Sequence, residues 1–355
     1  MAIQINGIQQ LGVGVENTEE SFAWFRRNFG VDIEVVNEKA MAEYMLPYTG
    51  GQPCKRHTVL AMNLQGGGGF EIWQHAGRKP LKPNFEVQLG DLGISVGKLK
   101  TTDIEKTYRI FRDKGLKMLT EITKDPSGKP HFFMMDLSEN CWEFVQYSEF
   151  FVKTKAVNGG VFGAIIGVKD IEESMVIYRD ILNYDTVIYD QTAIFPDLAG
   201  VPGGNNQYRR VLLKHSDKKS GPFSPIFGSS EIELVQVLDR TPEVIYDGRM
   251  WGDPGFIHLC FDIHGMDEIR EFVKSKGFPF TVDSAEKIDT FDMGDAAGNF
   301  AYIQAPEGTL IEFVETLKVP IMQKWGIFID LKKRPAEKPL PRWLLKLFGT
   351  KRIKD

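Results

Sequence analysis

Four stretches of the chain are apolar at almost every position, and each leads into an amphipathic helix. Gly7-Ile8-Gln9-Gln10-Leu11-Gly12-Val13-Gly14-Val15 reads as a strand with both faces largely covered. Asn17 can cap a helix predicted over Ser21–Phe29, with Phe22, Phe25 and Phe29 on its apolar face. The strand recurs as Gly160–Val168 at a shift of 153, with Asp170 on Asn17, Ser174 on Ser21 and Tyr178 on Phe25. A second pair follows. Asp91–Lys98 leads to a helix predicted over Asp103–Lys114 that ends at Gly115. At a shift of 162, Asp253–Cys260 leads to a helix over Asp267–Lys276 that ends at Gly277. The units close on Gly69–Gln74, Cys141–Gln146, Glu231–Gln236 and Leu310–Glu315. The chain is therefore strand, helix and a few strands, four times over, at about residues 5–80, 88–150, 158–240 and 253–318.

Two segments break the pattern. Ala76–Glu86, rich in Lys, Arg and Pro, reads as a linker, and Lys218–Ser230, rich in Gly, Ser and Pro, as a mobile surface loop. The tail from Lys318 lies outside the repeat. Within it, Trp343, Leu344, Leu347 and Phe348 fall along one side of a short helix, with Lys351, Arg352 and Lys354 beyond. Such a segment can lie on an anionic membrane surface or pack on the protein itself. Packing is favoured because the apolar face is only about two turns long. From Leu331 onward there are nine Lys or Arg against Glu337 and Asp355, so this +7 arm faces a remainder at −12 within a total of −5.

Composition adds boundaries. A hydrophobic content of 42% with 26% charged residues is ordinary for a soluble globular protein, and 355 residues suffice for two domains. We expect these to be residues 1–150 and 158–318, followed by the basic tail 319–355. The N-terminus lacks a secretory pattern, and no stretch is long enough to span a bilayer. Cys54, Cys141 and Cys260 are widely spaced with no CxxC, which predicts reduced thiols and a cytoplasmic protein. The net charge gives no reason to expect nucleic acid.

The chemistry lies in the strands. His258 sits mid-strand in Gly255–Ile263, and each closing strand carries a glutamate inside an apolar run: Glu71, Glu143, Glu233 and Glu312. A lone buried histidine is usually a satisfied core residue, but an unpaired buried carboxylate is costly and needs a cation or donor. A metal ion would satisfy His258 and Glu312 together. Counted back from the following helix, Gln10 stands where His258 does, whereas the other two units offer Val96 and Gly163, which bind no ion through a side chain. Units one and four thus keep full pairs. Shared ancestry alone could account for the remaining glutamates.

These motifs resemble the vicinal oxygen chelate superfamily, which includes glyoxalase I, the bleomycin-resistance proteins and the extradiol dioxygenases. The resemblance rests on VKDIEESMVIYRDIL, GFIHLCFDI, GNFAYIQAPEGTLIEFVE and NCWEFVQ, and covers residues 5–318. It implies an α+β, glyoxalase-like fold of four βαβββ modules paired into two curved sheets, each pair able to enclose a metal. If neighbours pair, the ligand sets are Gln10/Glu71/Glu143 and Glu233/His258/Glu312, both incomplete. If modules are exchanged, one with four and two with three, the sets are Gln10/Glu71/His258/Glu312 and the empty Val96/Glu143/Gly163/Glu233. The second arrangement accounts better for the pattern of losses.

By resemblance, one divalent ion (Zn, Ni, Co, Mn or Fe) would bind a small substrate through two neighbouring oxygens and stabilise an enediolate or enolate, with Glu312 as general base. Gly14, Pro254 and His75 stand where glyoxalase I holds glutathione-binding residues, which argues against that substrate. Alternation places Trp73 and His75 on the face of Glu71, as an aromatic pocket wall or as rim residues, and Cys260 and Asp262 on that of His258. Arg209 and Arg210 are either anion binders or a solvated face. An extradiol-type dioxygenase and a metal-free binding protein remain as alternatives, and the oligomeric state is open.

Overall fold

In the computed structural model, which describes residues 3–154, 156–217, 220–286, 291–292, 297–322 and 327–354, the apolar strands form two curved sheets. The fold is mixed α+β, with few helices. The ten-stranded sheet runs Val282–Asp283, Ala297–Gln304, Leu310–Met322, Gly255–His264, Gln4–Gly14, Gly69–His75, Cys54–Met62, Ile33–Ala42, with Phe291–Asp292 paired beside Ala297–Gln304 and Ile327–Asp330 beside Leu310–Met322. The nine-stranded sheet runs Thr186–Ala193, Tyr208–Lys214, Glu231–Val237, Asn158–Gly167, Gly93–Thr101, Cys141–Gln146, Pro130–Met135, Lys117–Met118, with Thr123–Lys124 paired beside Pro130–Met135. Both are joined through their opening strands, which run antiparallel: Gln4–Gly14 against Gly255–His264, and Gly93–Thr101 against Asn158–Gly167. This is the exchanged pairing. Module one shares a sheet with module four, and module two with module three, so residues 1–150 and 158–318 each supply one module to each sheet.

The helices form where the sequence pattern puts them, and they fill the space between the sheets. Thr18–Phe29 begins at Asn17, whose side chain accepts from the backbone N–H of Glu19 and Glu20, and ends at Gly30 in the left-handed region. Its buried Phe25 and Phe29 meet Trp142 of the other sheet at ring distances of 6.0 and 5.4 Å. One core is thus shared by both sheets. Asp103 caps Ile104–Asp113 in the same way. The third helix departs from the repeat, because Ile171–Met175 continues as a wider-turned segment, Val176–Ile181.

Two expectations need correction. Residues 218–219 lie outside the described residues, but the rest of the 218–230 segment is no mobile surface loop. Its short helix Ser224–Phe227 buries Ile226 and Phe227, with Phe223 beside them. The apolar residues of the segment outweigh its Gly and Ser content. They are covered by the tail, whose helix Arg342–Lys346 buries Leu344 and Leu345 with Leu340 in the same cluster. The tail packs on the protein, but with Leu345 inward and Trp343 62% exposed, so the inward face is rotated from the one expected. Arg352 closes the end on Asp32 at 3.3 Å. Among the described residues no helix is long and apolar enough to cross a membrane.

Deleting residues 338–355 uncovers Phe223, Ile226 and Phe227. Each large apolar side chain returned to water costs about 1.5–3 kcal/mol. The truncated chain is expected to melt several degrees lower and to lose solubility, with membrane partition unchanged. Salt-sensitive binding of the full chain, and not the truncated one, to anionic vesicles would contradict this.

Candidate metal centre

Exchanged pairing brings Gln10, Glu71, His258 and Glu312 to one point. In the parallel ladders Glu71 pairs with Gly12 and Glu312 with Cys260, each two residues beyond the first-strand position of its own module. Strand alternation therefore puts all four side chains on one face. Nε2 of His258 lies 3.1 Å from Glu71 Oε2 and 3.2 Å from Glu312 Oε2. The Gln10 amide nitrogen donates to the same two oxygens at 3.1 and 3.4 Å. Ligand atoms of Glu71, His258 and Glu312 lie within 4.8 Å of one another. Gly12 makes room for the ring, since a Cβ there would stand 2.5 Å from His258 Cε1.

The electrostatics are those of a site short of positive charge. Among the described residues the two carboxylates are ion-paired to His258 alone. Burial pushes the imidazole pKa down, but the charges and hydrogen bonds of Glu312 and Glu71 prevail and hold it up at about 10. Burial likewise opposes ionisation of Glu312, yet His258 keeps its pKa below the ordinary value. Neither ring nitrogen of the fully buried His258 has a well-aligned hydrogen bond, despite the two oxygens near Nε2. A nitrogen set between two carboxylates at 3.1 and 3.2 Å without a well-aligned bond to either fits a metal ligand. Two carboxylates, a neutral imidazole and a neutral amide would offset a divalent charge, and rotating the Gln10 amide presents its oxygen at the same point.

The other sheet is the internal comparison. Val96 and Gly163 hold the two first-strand positions, and a Cβ at Gly163 would stand 1.9 Å from the Glu231 carbonyl oxygen, so the backbone leaves no space for a ligand. Glu143 and Glu233 are instead held by Lys98, whose Nζ lies 3.1 and 3.0 Å from them and 2.9 Å from Glu231. Arg210 binds Glu233 at 2.6 Å and Asp197 at 2.7 Å, while His131 reaches Glu143 at 2.6 Å. Lys129 and Lys214 reach Glu231. Four cations thus face four carboxylates. Lys98 occupies the register position that Gly12 and Cys260 occupy opposite the glutamates of the first sheet.

Sequence reasoning missed Lys98, although a lysine alternating with apolar residues in Gly93–Thr101 was a usable signal. Arg210 corrects the expected solvated face. It is 1% exposed and neutralises buried acids, whereas the partly buried Arg209 pairs at its edge with Asp190 and Glu172.

Around the candidate centre the residues sort further. Cys260 is buried beside Glu312, donating to Gln9 at 3.3 Å, and Asp262 accepts from Asn6 at 2.7 Å. Trp73 is fully buried against Trp251 and His75 and does not line the pocket. His75 faces Arg78 and Asp253. The aromatic wall comes instead from Trp251, Phe300 and Tyr302. No alternation rule could supply Trp251, which lies in a loop. Gly14 cannot be replaced by a substrate-binding side chain, because a Cβ there would meet the Asp253 carbonyl oxygen at 2.0 Å.

No family model matches this chain, and no curated protein matches it either. Solved structures do. Glyoxalase I from Zea mays superposes with a TM-score of 0.54 at 12% identity, covering 88% of this chain and 92% of that one. A proposed dioxygenase from Bacillus subtilis does so with a TM-score of 0.56 at 12% identity, covering 88% and 86%.

Proposed function

We propose that this chain, whose fold is that of the vicinal oxygen chelate superfamily, is a metal-dependent enzyme of the glyoxalase I type: a lyase, isomerase or epimerase. Gln10, Glu71, His258 and Glu312 would hold one divalent ion. The observation that carries the reading is the contrast between the sheets. The same fold neutralises its buried glutamates with Lys98 and Arg210 in one sheet, and leaves Glu71 and Glu312 to a histidine and an amide in the other.

When bound, a divalent ion supplies Lewis-acid polarisation to two neighbouring oxygens of a substrate. The chain supplies the rest. Glu312, against the hydroxyl of Tyr302 and the thiol of Cys260, would take the proton from the substrate carbon and return it at the adjacent carbon by way of an enediolate, or to the same carbon by way of an enolate in an epimerisation. Glu71 is 15% exposed by side chain against 7% for Glu312, so Glu312 is the better shielded from water while it carries the proton. Trp251 and Tyr302 cover His258.

Metal-loaded protein should be screened in deuterated water against 2-oxoaldehyde thiol adducts, catechols and acyl-CoA epimers, with oxygen uptake followed in parallel. The expected result is deuterium entry at the carbon next to a carbonyl, without oxygen consumption, and its loss in Glu312→Gln. Oxygen uptake with catechols would instead mark a dioxygenase. Turnover by protein stripped of metal would sink the reading.

A further inference from the structure

The candidate centre opens into a cavity of about 490 Å³, within the range of sites that bury drug-sized ligands, about 300–1,000 Å³. Its composition is uneven. Gln10, Glu71 and Glu312 are polar. Beyond them the wall is mostly apolar, with polar groups such as Thr58, Arg56 and Lys351 among its side chains: Leu60 lies directly across the ladder from Glu71, and Val36 across from Leu60. Ile226 and Phe227 of the buried 221–228 segment and Leu344 and Phe348 of the tail complete it. Leu60 and Val36 are only partly buried although they lie mid-strand in a sheet, because they face this space.

The cations along the wall are already engaged. Arg56 pairs with Glu38, and Lys351 donates to the Val35 carbonyl at 3.0 Å. Glu43 at the rim is exposed and acidic. A carboxylate or phosphate on the far end of a substrate would have to compete with Glu38 for Arg56 and would otherwise meet Lys351 alone. A hydrocarbon body meets no such competition, and each buried methylene favours binding about fourfold.

We infer that the substrate is amphiphilic: a head with two neighbouring oxygens seated at Gln10, Glu71, His258 and Glu312, and a long apolar body lying between the 33–62 strand pair and the C-terminal tail. The tail is therefore part of the binding site as well as of the core. The assignment of the head rests on the metal reading above, and the assignment of the body rests on the cavity alone.

Titration with acetohydroxamate, hexanohydroxamate and decanohydroxamate tests both, because each carries the same two-oxygen head on a longer chain. Calorimetry on the manganese-loaded full chain is expected to show hexanohydroxamate, four methylenes longer, binding about two hundredfold more tightly than acetohydroxamate. Hexanol, octanol and decanol, which lack the head, should bind the metal-free protein in the same order of chain length. Leu60→Trp and Phe348→Asp are expected to flatten both series. A chain-length series that is flat in both probes would overturn the inference while leaving tight, metal-dependent acetohydroxamate binding to stand for the metal centre. A steep series in both probes that ignores manganese would uphold the apolar body and remove the metal reading.

Discussion

Protein purified without chelator is expected to carry one divalent ion per chain, and His258→Ala to carry none. The size of the effect follows from the ligand count. Removing the nitrogen leaves two mutually repulsive carboxylates and a neutral amide, all oxygen donors, without the imidazole that a borderline ion favours. Glu143→Ala leaves the metal content unchanged, because Glu143 lies in the sheet already neutralised by Lys98. Elemental analysis of the two variants side by side decides the matter. Full metal loss in Glu143→Ala or Glu233→Ala would place the ion in the wrong sheet and remove the proposed centre. The ion also binds the folded chain only, so stripping it lowers the melting temperature by mass action, with about 4 kcal/mol at stake when free metal is a thousandfold above its Kd. His258→Ala should be insensitive to added metal in the same assay.

Much of this arrangement could be read from residues alone, for a definite reason. Strand alternation and helix capping are local, so Asn17, Asp103 and Asp170 each mark a helix start that the structure keeps. Pairing is not local. The sequence offered two ways to combine four modules, and only the backbone ladder joining Gln10 to Cys260 decides between them. Loops defeated the reading where they carry buried residues. The Gly- and Ser-rich 218–230 segment looked solvent-exposed because its neighbours Leu340 and Leu344 are more than a hundred residues away. Trp251 escaped for the same reason. The losses at Val96 and Gly163 were visible, but what replaced them was not, because Lys98 reaches Glu231 and Glu233 across a module boundary.

That replacement predicts the largest change in stability. Lys98→Met should cost about 3–5 kcal/mol, the usual price of leaving buried charges without their partner. Three carboxylates, Glu143, Glu231 and Glu233, lose a shared cation within 3.1 Å, and all three are almost fully buried. The pH dependence identifies the cause. Burial alone would raise the carboxyl pKa of Glu231 and Glu233, but Lys98 with Lys129 and Lys214, or with Arg210, holds both at about 2, below their ordinary 4.5. Because the folded-state values are the depressed ones, this stabilisation is fully present above about pH 4.5 and is lost as pH falls toward 2. The gap between wild type and Lys98→Met is therefore widest near neutral pH and closes through that window. Urea melts at pH 7, 5 and 3.5 measure it. A gap that stays constant with pH would mean that Lys98 stabilises through the packing of its methylene stem rather than its charge. Adding Mn or Zn gives the second reading. Among the described residues only Glu71, His258 and Glu312 bring three such ligand atoms together, and Glu233 keeps Arg210 when Lys98 is lost, so neither ion should restore the stability lost in Lys98→Met. A rise in its melting temperature with either ion would show that the second sheet can hold a metal once the ammonium is gone.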